Sequence, residues 1–130
     1  MRLVLDASVA VHLLVPGPLQ RTARARLVGS EPIAPTLIDT EVLSALARLE
    51  RAGELTRDEA DTAAAAWCTF PCDRVHDAAL LAPVWAQRHR LRIADAHYVA
   101  LSRAVDAPLL TADRRFAAAV GPGVSVMLVQ

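Results

Sequence analysis

The sequence predicts an α/β fold in which a parallel sheet is packed between layers of helices. Short apolar segments typical of strands alternate along the chain with longer segments whose apolar residues recur at helical spacing. Strands joined through helices pair in parallel, because a parallel connection needs a long crossover. The length of 130 residues suits one domain, and an apolar fraction of 54% can form a sizeable core. We therefore expect a single domain over residues 1–130.

The first half of the chain predicts two strands and four helices. The strands are at 2–5 and 31–35, and the helices are at 7–15, 19–28, 36–53 and 56–67. Thr36 is a candidate N-cap of the third helix, and Gly53 can end it. Thr56 with Glu59 three residues later forms the capping-box pattern at the start of the fourth helix.

The second half continues the alternation. The strands are predicted at 70–75, 107–113 and 124–129, and the helices at 76–90, 92–105 and 113–120. Pro83 should kink or break the first of these helices, because proline lacks the N–H that a helix interior uses. Trp67 and Trp85 are expected in the core or at an interface, and Tyr98 in the core.

Composition restricts the function classes. Net charge is zero and all basic residues are arginine, so no general positive field attracts nucleic acid and local arginines would have to bind it. No segment reaches the roughly 18 apolar residues of a membrane span. Asp6 interrupts the first apolar run too early for a signal peptide. Cys68 and Cys72 do not match a zinc pattern, and we expect reduced thiols rather than a disulfide. These observations favour a soluble, cytoplasmic protein.

Acidic residues stand at positions where a parallel sheet binds ligands. Asp6 and Asp113 follow predicted strands, and ligands bind beyond the carboxyl ends of such strands. Asp95 lies near a helix start. Glu41 and Asp39 lie on opposite sides of one helix's apolar face, and helical geometry alone does not choose between them. Each acid also has a structural interpretation, as a helix cap or as a charge favoured at a helix N-terminus.

Three or four carboxylates that converge in one pocket would repel one another, and some would take up protons. A hard divalent cation such as Mg²⁺ or Mn²⁺ removes this conflict, because it prefers oxygen ligands. Such a cation activates water and stabilises the charge that builds up on a phosphodiester. The sequence by itself does not establish that these acids meet.

Four segments carry a family resemblance: LVLDASV at 3–9, EVLSAL at 41–46, RIADAHYVALS at 92–102 and LLTADRRFA at 109–117. In this order they resemble PIN-domain ribonucleases, specifically the toxin half of VapBC-type toxin–antitoxin pairs. The resemblance implies a three-layer α/β/α sandwich with a parallel sheet of four or five strands. It also implies a cytoplasmic enzyme that cuts RNA, forms a homodimer and is silenced by a VapB-type antitoxin protein.

The resemblance further implies an acidic quartet that binds Mg²⁺ or Mn²⁺ and positions water, namely Asp6, Glu41, Asp95 and Asp113. Ser8 and Thr111 match small hydroxyl residues that support the metal site. Two positions depart from the family pattern. Ser44 replaces a frequent asparagine, and Ala117 stands where some members carry a further acid, which leaves open whether one metal or two are bound.

Arg114 and Arg115 directly follow Asp113 and are candidates for holding RNA at the pocket mouth, because the guanidinium fork suits phosphate. Their alternative role is as solvent-facing helix residues. Receiver-type and D-x-D phosphatase sites would need a second acid where Ala7 and Ser8 stand, and no glycine-rich phosphate loop follows the first strand. The remaining alternative is a PIN domain with little or no activity that binds RNA or protein as a regulatory module.

Overall fold

The computed structural model describes all residues, 1–130, and has at its centre a sheet of five strands. The strands are β1 (Arg2–Leu5), β2 (Glu31–Pro35), β3 (Asp73–Val75), β4 (Leu109–Thr111) and β5 (Val126–Leu128). Every neighbouring pair is parallel, and the order across the sheet is β3-β2-β1-β4-β5. Because β1 lies in the middle, its apolar residues Leu3, Val4 and Leu5 are fully buried. The predicted parallel α/β sheet is confirmed, with five strands.

Seven α-helices and one 3₁₀ helix surround the sheet. They are α1 (Ala7–Leu14), α2 (Gln20–Leu27), α3 (Leu37–Arg51), α4 (Arg57–Cys68), the 3₁₀ helix (Asp77–Leu80), α5 (Leu81–Ala86), α6 (Ile93–Val105) and α7 (Arg114–Ala119). Helix α1 packs on α2, α3 and α4, whereas α6 packs on α5 and the 3₁₀ helix. None of the helices has the length and hydropathy that crossing a bilayer requires.

The strand order creates a crevice next to β1. The chain runs from β1 through β2 to β3 at one edge and then returns to place β4 on the other side of β1. Right-handed crossovers that lead to strands on opposite sides of β1 place their helices on opposite faces of the sheet, and this gives the three layers. The change of direction between β1 and β4 is the switch point at which open α/β sheets bind ligands. Asp6 follows β1 directly, and Asp113 stands two residues after β4.

Helix capping agrees with the sequence at α4 and differs at α3. The Thr56 side chain accepts from the Glu59 N–H, and the Glu59 carboxylate accepts from the Thr56 N–H, so the predicted capping box is confirmed. The Thr36 side chain does not cap α3. Instead Asp77 accepts from the Leu37 N–H, while the Thr36 hydroxyl accepts from the Asp77 N–H. A residue from a distant segment therefore supplies the cap.

The second half of the chain also departs from the predicted elements. The strand predicted at 70–75 is only Asp73–Val75, and the helix predicted at 76–90 divides into the 3₁₀ helix and α5. Pro83 lies in the first turn of α5, where its missing N–H has no partner to lose. Trp67 is buried, as expected of a core residue, whereas Trp85 is 62% exposed and stacks with Arg88, which leaves an interface as the remaining expectation for it. Both cysteines are free thiols.

Candidate active site

Four carboxylates line one pocket of about 180 Å³ at the switch point of the sheet. Asp6 comes from the end of β1, Glu41 from α3, Asp95 from the first turn of α6, and Asp113 from the N-cap of α7. We call this space the acidic pocket; its lining residues are Asp6, Ala7, Ser8, Val11, Glu41, Ala45, Arg48, Arg92, Asp95 and Asp113. The structure thus brings together the four acids that the sequence singled out.

Asp6 is a buried carboxylate, with only 6% of the residue exposed. It stands at the N-cap position of α1, but only its backbone carbonyl accepts helical hydrogen bonds, from the N–H groups of Val9 and Ala10. Its side chain makes no capping bond. The Asp6 Oδ2 atom instead accepts from the hydroxyls of Ser8 at 2.6 Å and Thr111 at 2.7 Å. The capping interpretation of this carboxylate is therefore wrong.

Ser8 in the first turn of α1 and Thr111 at the end of β4 connect these two elements. Their hydroxyl oxygens are 3.3 Å apart, in addition to the bonds that each makes to Asp6. The Ser8 oxygen accepts from the Ala112 N–H, and the Thr111 oxygen accepts from the Asp113 N–H. These contacts fix the position of the Asp6 carboxylate relative to the backbone that carries Asp113. Both hydroxyl residues thus lie where a supporting role requires them.

Glu41 turns towards the acidic pocket, and the partner that holds it is Tyr98 on α6. The Tyr98 hydroxyl donates to Glu41 Oε1 at 2.6 Å, and the ring of Tyr98 is fully buried. Tyr98 is therefore a core residue, as expected, whose polar end also orients an acid of the pocket. Burial raises the pKa of this phenol, so it remains a donor at every pH of interest.

Asp39, the other acid flanking the apolar face of α3, belongs to a different cluster. Its Oδ1 accepts from the Trp67 indole at 2.9 Å and from the Arg74 guanidinium at 2.8 Å. Burial alone would raise the pKa of Asp39, but the two hydrogen bonds and the Arg74 charge outweigh it and lower the pKa. Asp39 ties α3 to α4 and β3 and does not line the acidic pocket.

Asp95 and Asp113 have both a structural partner and a place in the pocket. Arg92 donates from Nε to Asp95 Oδ2 at 3.3 Å, within the first turn of α6. Asp113 caps α7, because its Oδ1 accepts from the N–H groups of Arg115 and Phe116. The capping interpretation of Asp113 is thus correct, and it does not exclude a second role for its other oxygen.

Burial and mutual repulsion disfavour the charged forms of Asp6 and Glu41 in the acidic pocket. Burial raises the pKa of Asp6 to about 6, and repulsion from Glu41 and Asp95 adds to this effect. The hydrogen bonds from Ser8 and Thr111 oppose the rise without cancelling it. The pKa of Glu41 is also raised, by burial and by the nearby Asp95 charge, against the opposing bond from Tyr98.

In each of the four carboxylates, one oxygen accepts hydrogen bonds from the protein and the other does not. Protein donors reach only one oxygen of every acid: Oδ2 of Asp6, Oε1 of Glu41, Oδ2 of Asp95 and Oδ1 of Asp113. The second oxygen has no protein donor in any of the four. An oxygen-only donor set with one held and one free atom per carboxylate fits a hard divalent cation. In this structure no three Asp, Glu, His or Cys side chains are close enough together to enclose an ion.

Two arginines also line the pocket, Arg48 from α3 and Arg92 at the N-cap of α6. The sequence reading did not single out Arg48, although it is two helical turns after Glu41 and helical periodicity therefore places both residues on the same face of α3. Arg92 is three residues before Asp95, the spacing at which side chains near a helix start can meet. Of the arginines proposed for RNA, Arg115 lines a cavity beside the acidic pocket, whereas Arg114 lines neither space.

The sequence resembles those of known proteins over most of its length. The sequence profile of the PIN domain matches residues 3–121. Ribonuclease VapC3 of Mycobacterium tuberculosis is 42% identical over 119 residues, which cover 91% of this chain and 87% of that protein.

Solved structures share the fold. The crystal structure of VapC20 from Mycobacterium tuberculosis, a toxin that cleaves the sarcin-ricin loop, superposes with a TM-score of 0.70 at 20% identity, covering 95% of this chain and 98% of that one. VapBC2 from Rickettsia felis, bound to a DNA fragment from its promoter, gives 0.67 at 10% identity, with both chains covered in full. The chain therefore belongs to the PIN domain family and, within it, to the VapC ribonucleases.

Proposed function

We propose that this chain, as a single PIN domain over residues 1–130, is an endoribonuclease that depends on Mg²⁺ or Mn²⁺ and is the toxin of a toxin–antitoxin pair. The observation that supports this most directly is the acidic pocket. Four elements of a VapC-family fold each deliver one carboxylate to it, and each carboxylate keeps one oxygen without a protein donor.

The residues that would hold the cation are Asp6, Glu41, Asp95 and Asp113. When bound, Mg²⁺ or Mn²⁺ supplies Lewis-acid stabilisation of charge on the phosphodiester and lowers the pKa of the attacking water. The chain itself supplies the orientation of the ligands. Ser8 and Thr111 hold the Asp6 carboxylate, and Tyr98 holds that of Glu41. Fixed ligands of this kind remain in place while the substrate changes, so little reorganisation accompanies the reaction.

The partners follow from the family. VapC3 and VapC20 are named as a ribonuclease and as an RNA-loop-cleaving toxin, and VapBC2 is a complex of toxin and antitoxin. For this chain we propose cellular RNA as substrate and a VapB-type protein as the antitoxin that silences it. A homodimer is the proposed assembly of the toxin itself.

A PIN domain without activity is the alternative function, and no observation favours it. A degenerate site would be expected to have lost at least one carboxylate or its supporting bonds. Here all four acids are present in one pocket, and Asp6 and Glu41 are held by dedicated hydroxyl donors.

The test is to map new RNA 5′ ends across a bacterial host after inducing the wild-type chain, with Asp6→Asn as the matched control. Asp6→Asn removes a charge but almost no volume, so the fold should persist. We expect discrete cuts with the wild type alone, and purified protein should make the same cuts when Mn²⁺ is added and none in EDTA. Equal cutting by Asp6→Asn would refute the proposed mechanism.

A further inference from the structure

A second cavity, of about 310 Å³, adjoins the acidic pocket and has a different charge. Three arginines line it: Arg90 from the loop before α6, Arg92 at the N-cap of α6, and Arg115 from the first turn of α7. We call it the arginine cavity. It shares Arg92, Asp95 and Asp113 with the acidic pocket, so the two spaces meet along a common wall.

The arginines of this cavity have unused donors. Arg90 and Arg115 are exposed, and neither side chain forms an ion pair with an acid of the chain. Arg92 uses only its Nε for Asp95, so both of its terminal nitrogens are free, and its side chain is 78% exposed. A guanidinium with free terminal nitrogens presents a planar fork that matches two oxygens of a phosphate.

The charge balance reverses across the shared wall. The acidic pocket has four carboxylates against Arg48 and Arg92, whereas the arginine cavity has three guanidinium groups against Asp95 and Asp113. A polyanion approaching the carboxylates alone would be repelled. An RNA strand that places one phosphate near the carboxylates and the neighbouring phosphate among the arginines is attracted by the arginines, which offsets that repulsion. The position of the positive charge, and not its total amount, is what makes this cavity suitable.

We propose that the arginine cavity binds the phosphate group next to the scissile one on the RNA strand, with Arg90, Arg92 and Arg115 as its donors. This inference rests on the proposed nuclease function and assigns the substrate contact that accompanies it. The structure adds that Arg115, a candidate RNA contact from the sequence, shares one cavity with Arg90 and Arg92.

Gly121 keeps Arg90 at the cavity. The Arg90 guanidinium lies directly over this glycine, and a Cβ atom added there would be 2.0 Å from Nη2 and 2.8 Å from Cζ. The backbone at Gly121 is not left-handed, so alanine fits the main chain. Gly121→Ala should therefore displace the guanidinium without removing its charge. The residue acts on RNA binding through the position of Arg90, not by touching the strand.

The test measures binding apart from cleavage. A fluorescein-labelled single-stranded RNA of about 12 nucleotides is titrated in EDTA with each variant, by fluorescence anisotropy, at several salt concentrations. We expect Arg90→Gln and Arg115→Gln each to raise Kd about tenfold, as loss of a charged hydrogen bond does. Each should also reduce the slope of log Kd against log salt by about 0.7, which corresponds to one phosphate contact on a single strand.

The matched control is Arg57→Gln, which removes one exposed positive charge from α4, a helix that lines neither space. Its Kd should stay within about twofold of wild type, because a distant charge acts only through the screened field. Gly121→Ala should weaken binding as Arg90→Gln does, and combining the two should add nothing further. The midpoint of thermal unfolding of Gly121→Ala should match that of the wild type.

Two results would overturn the proposal. One is a wild-type chain that does not bind this RNA, and the other is a set of cavity variants that behave like Arg57→Gln. In the second case, a loss of affinity of the same variants for the antitoxin protein would assign these arginines to protein binding instead. The nuclease function is tested separately. A wild type that binds RNA through these arginines but does not cut it with Mn²⁺ would refute the nuclease function and still support the phosphate-binding cavity.

Discussion

Replacing Asp6 by asparagine should make the metal-free protein more stable while abolishing cleavage. The Asp6 carboxylate is buried and lies near the charges of Glu41 and Asp95, and its pKa is raised from 3.8 to about 6. Asparagine has nearly the same shape and no charge, and its carbonyl oxygen can accept the bonds from Ser8 and Thr111. The substitution therefore removes the charge penalty and keeps the packing.

The magnitude follows from the pKa of Asp6 in the folded and unfolded states. As pH rises from about 4 to 6, the unfolded chain releases this proton while the folded chain retains it, so the free energy of unfolding of the wild type falls. Above the folded pKa the full penalty remains, about 3 kcal/mol, since one pH unit corresponds to about 1.4 kcal/mol. Well below pH 3.8 the acid is neutral in both states and the penalty vanishes.

The assay is urea unfolding of both proteins in EDTA, at about pH 8 and again near pH 4. We expect Asp6→Asn to be more stable by up to about 3 kcal/mol at the higher pH and by only about 0.5 kcal/mol at the lower one, where the unfolded carboxyl is about half ionised. Asp39→Asn is the control, because Arg74 and Trp67 lower the pKa of Asp39 and the same substitution there should destabilise the protein at neutral pH. A destabilised Asp6→Asn at pH 8 would refute the assigned burial and repulsion.

Three other predictions follow from the same contacts. Tyr98→Phe leaves Glu41 Oε1 without its donor. The affinity for Mn²⁺, measured by titration calorimetry, should therefore fall about tenfold. An unchanged affinity would show that Glu41 does not need this hydrogen bond. Mn²⁺ at 100 times its Kd should stabilise the wild type by about 2.7 kcal/mol but not Asp6→Asn, and equal stabilisation of both would place the ion elsewhere. Thr56→Ala removes the capping box of α4 and should lower the free energy of unfolding by about 1 kcal/mol. RNA cleavage should stay normal, and altered cleavage would show that α4 contributes to the active site.

The parts of the fold that local chemistry determines were predictable from the sequence. Alternating strands and helices led to a parallel sheet, and the acids that follow β1 and β4 were expected at its carboxyl edge, where they lie. The choice between Glu41 and Asp39 came only from the family resemblance, because the two are symmetric about the apolar face of α3 and helical geometry does not separate them. Contacts from distant segments decide it, since Tyr98 binds Glu41 while Trp67 and Arg74 bind Asp39.

Long-range contacts account for the other differences as well. The cap of α3 comes from Asp77, about 40 residues away in the chain, and no local pattern at Thr36 indicates it. Arg90 lies against Gly121, which belongs to the loop before β5, so the arginine cavity exists only once α6 and α7 have packed. Helix caps and strand ends are properties of neighbouring residues, whereas these contacts depend on the arrangement of the whole sheet.

For the acids of the quartet, stability measurements can distinguish a structural role from a role in binding a cation. Asp113 caps α7 through one oxygen, and asparagine caps equally well, so Asp113→Asn should leave stability unchanged. Asp6 caps nothing, and its charge opposes folding of the metal-free chain. Where a carboxylate stabilises the fold, replacing it by the neutral amide should destabilise the protein, as expected for Asp39. Neutral or favourable effects at Asp113 and Asp6, together with lost cleavage, would mark both charges as serving a bound cation.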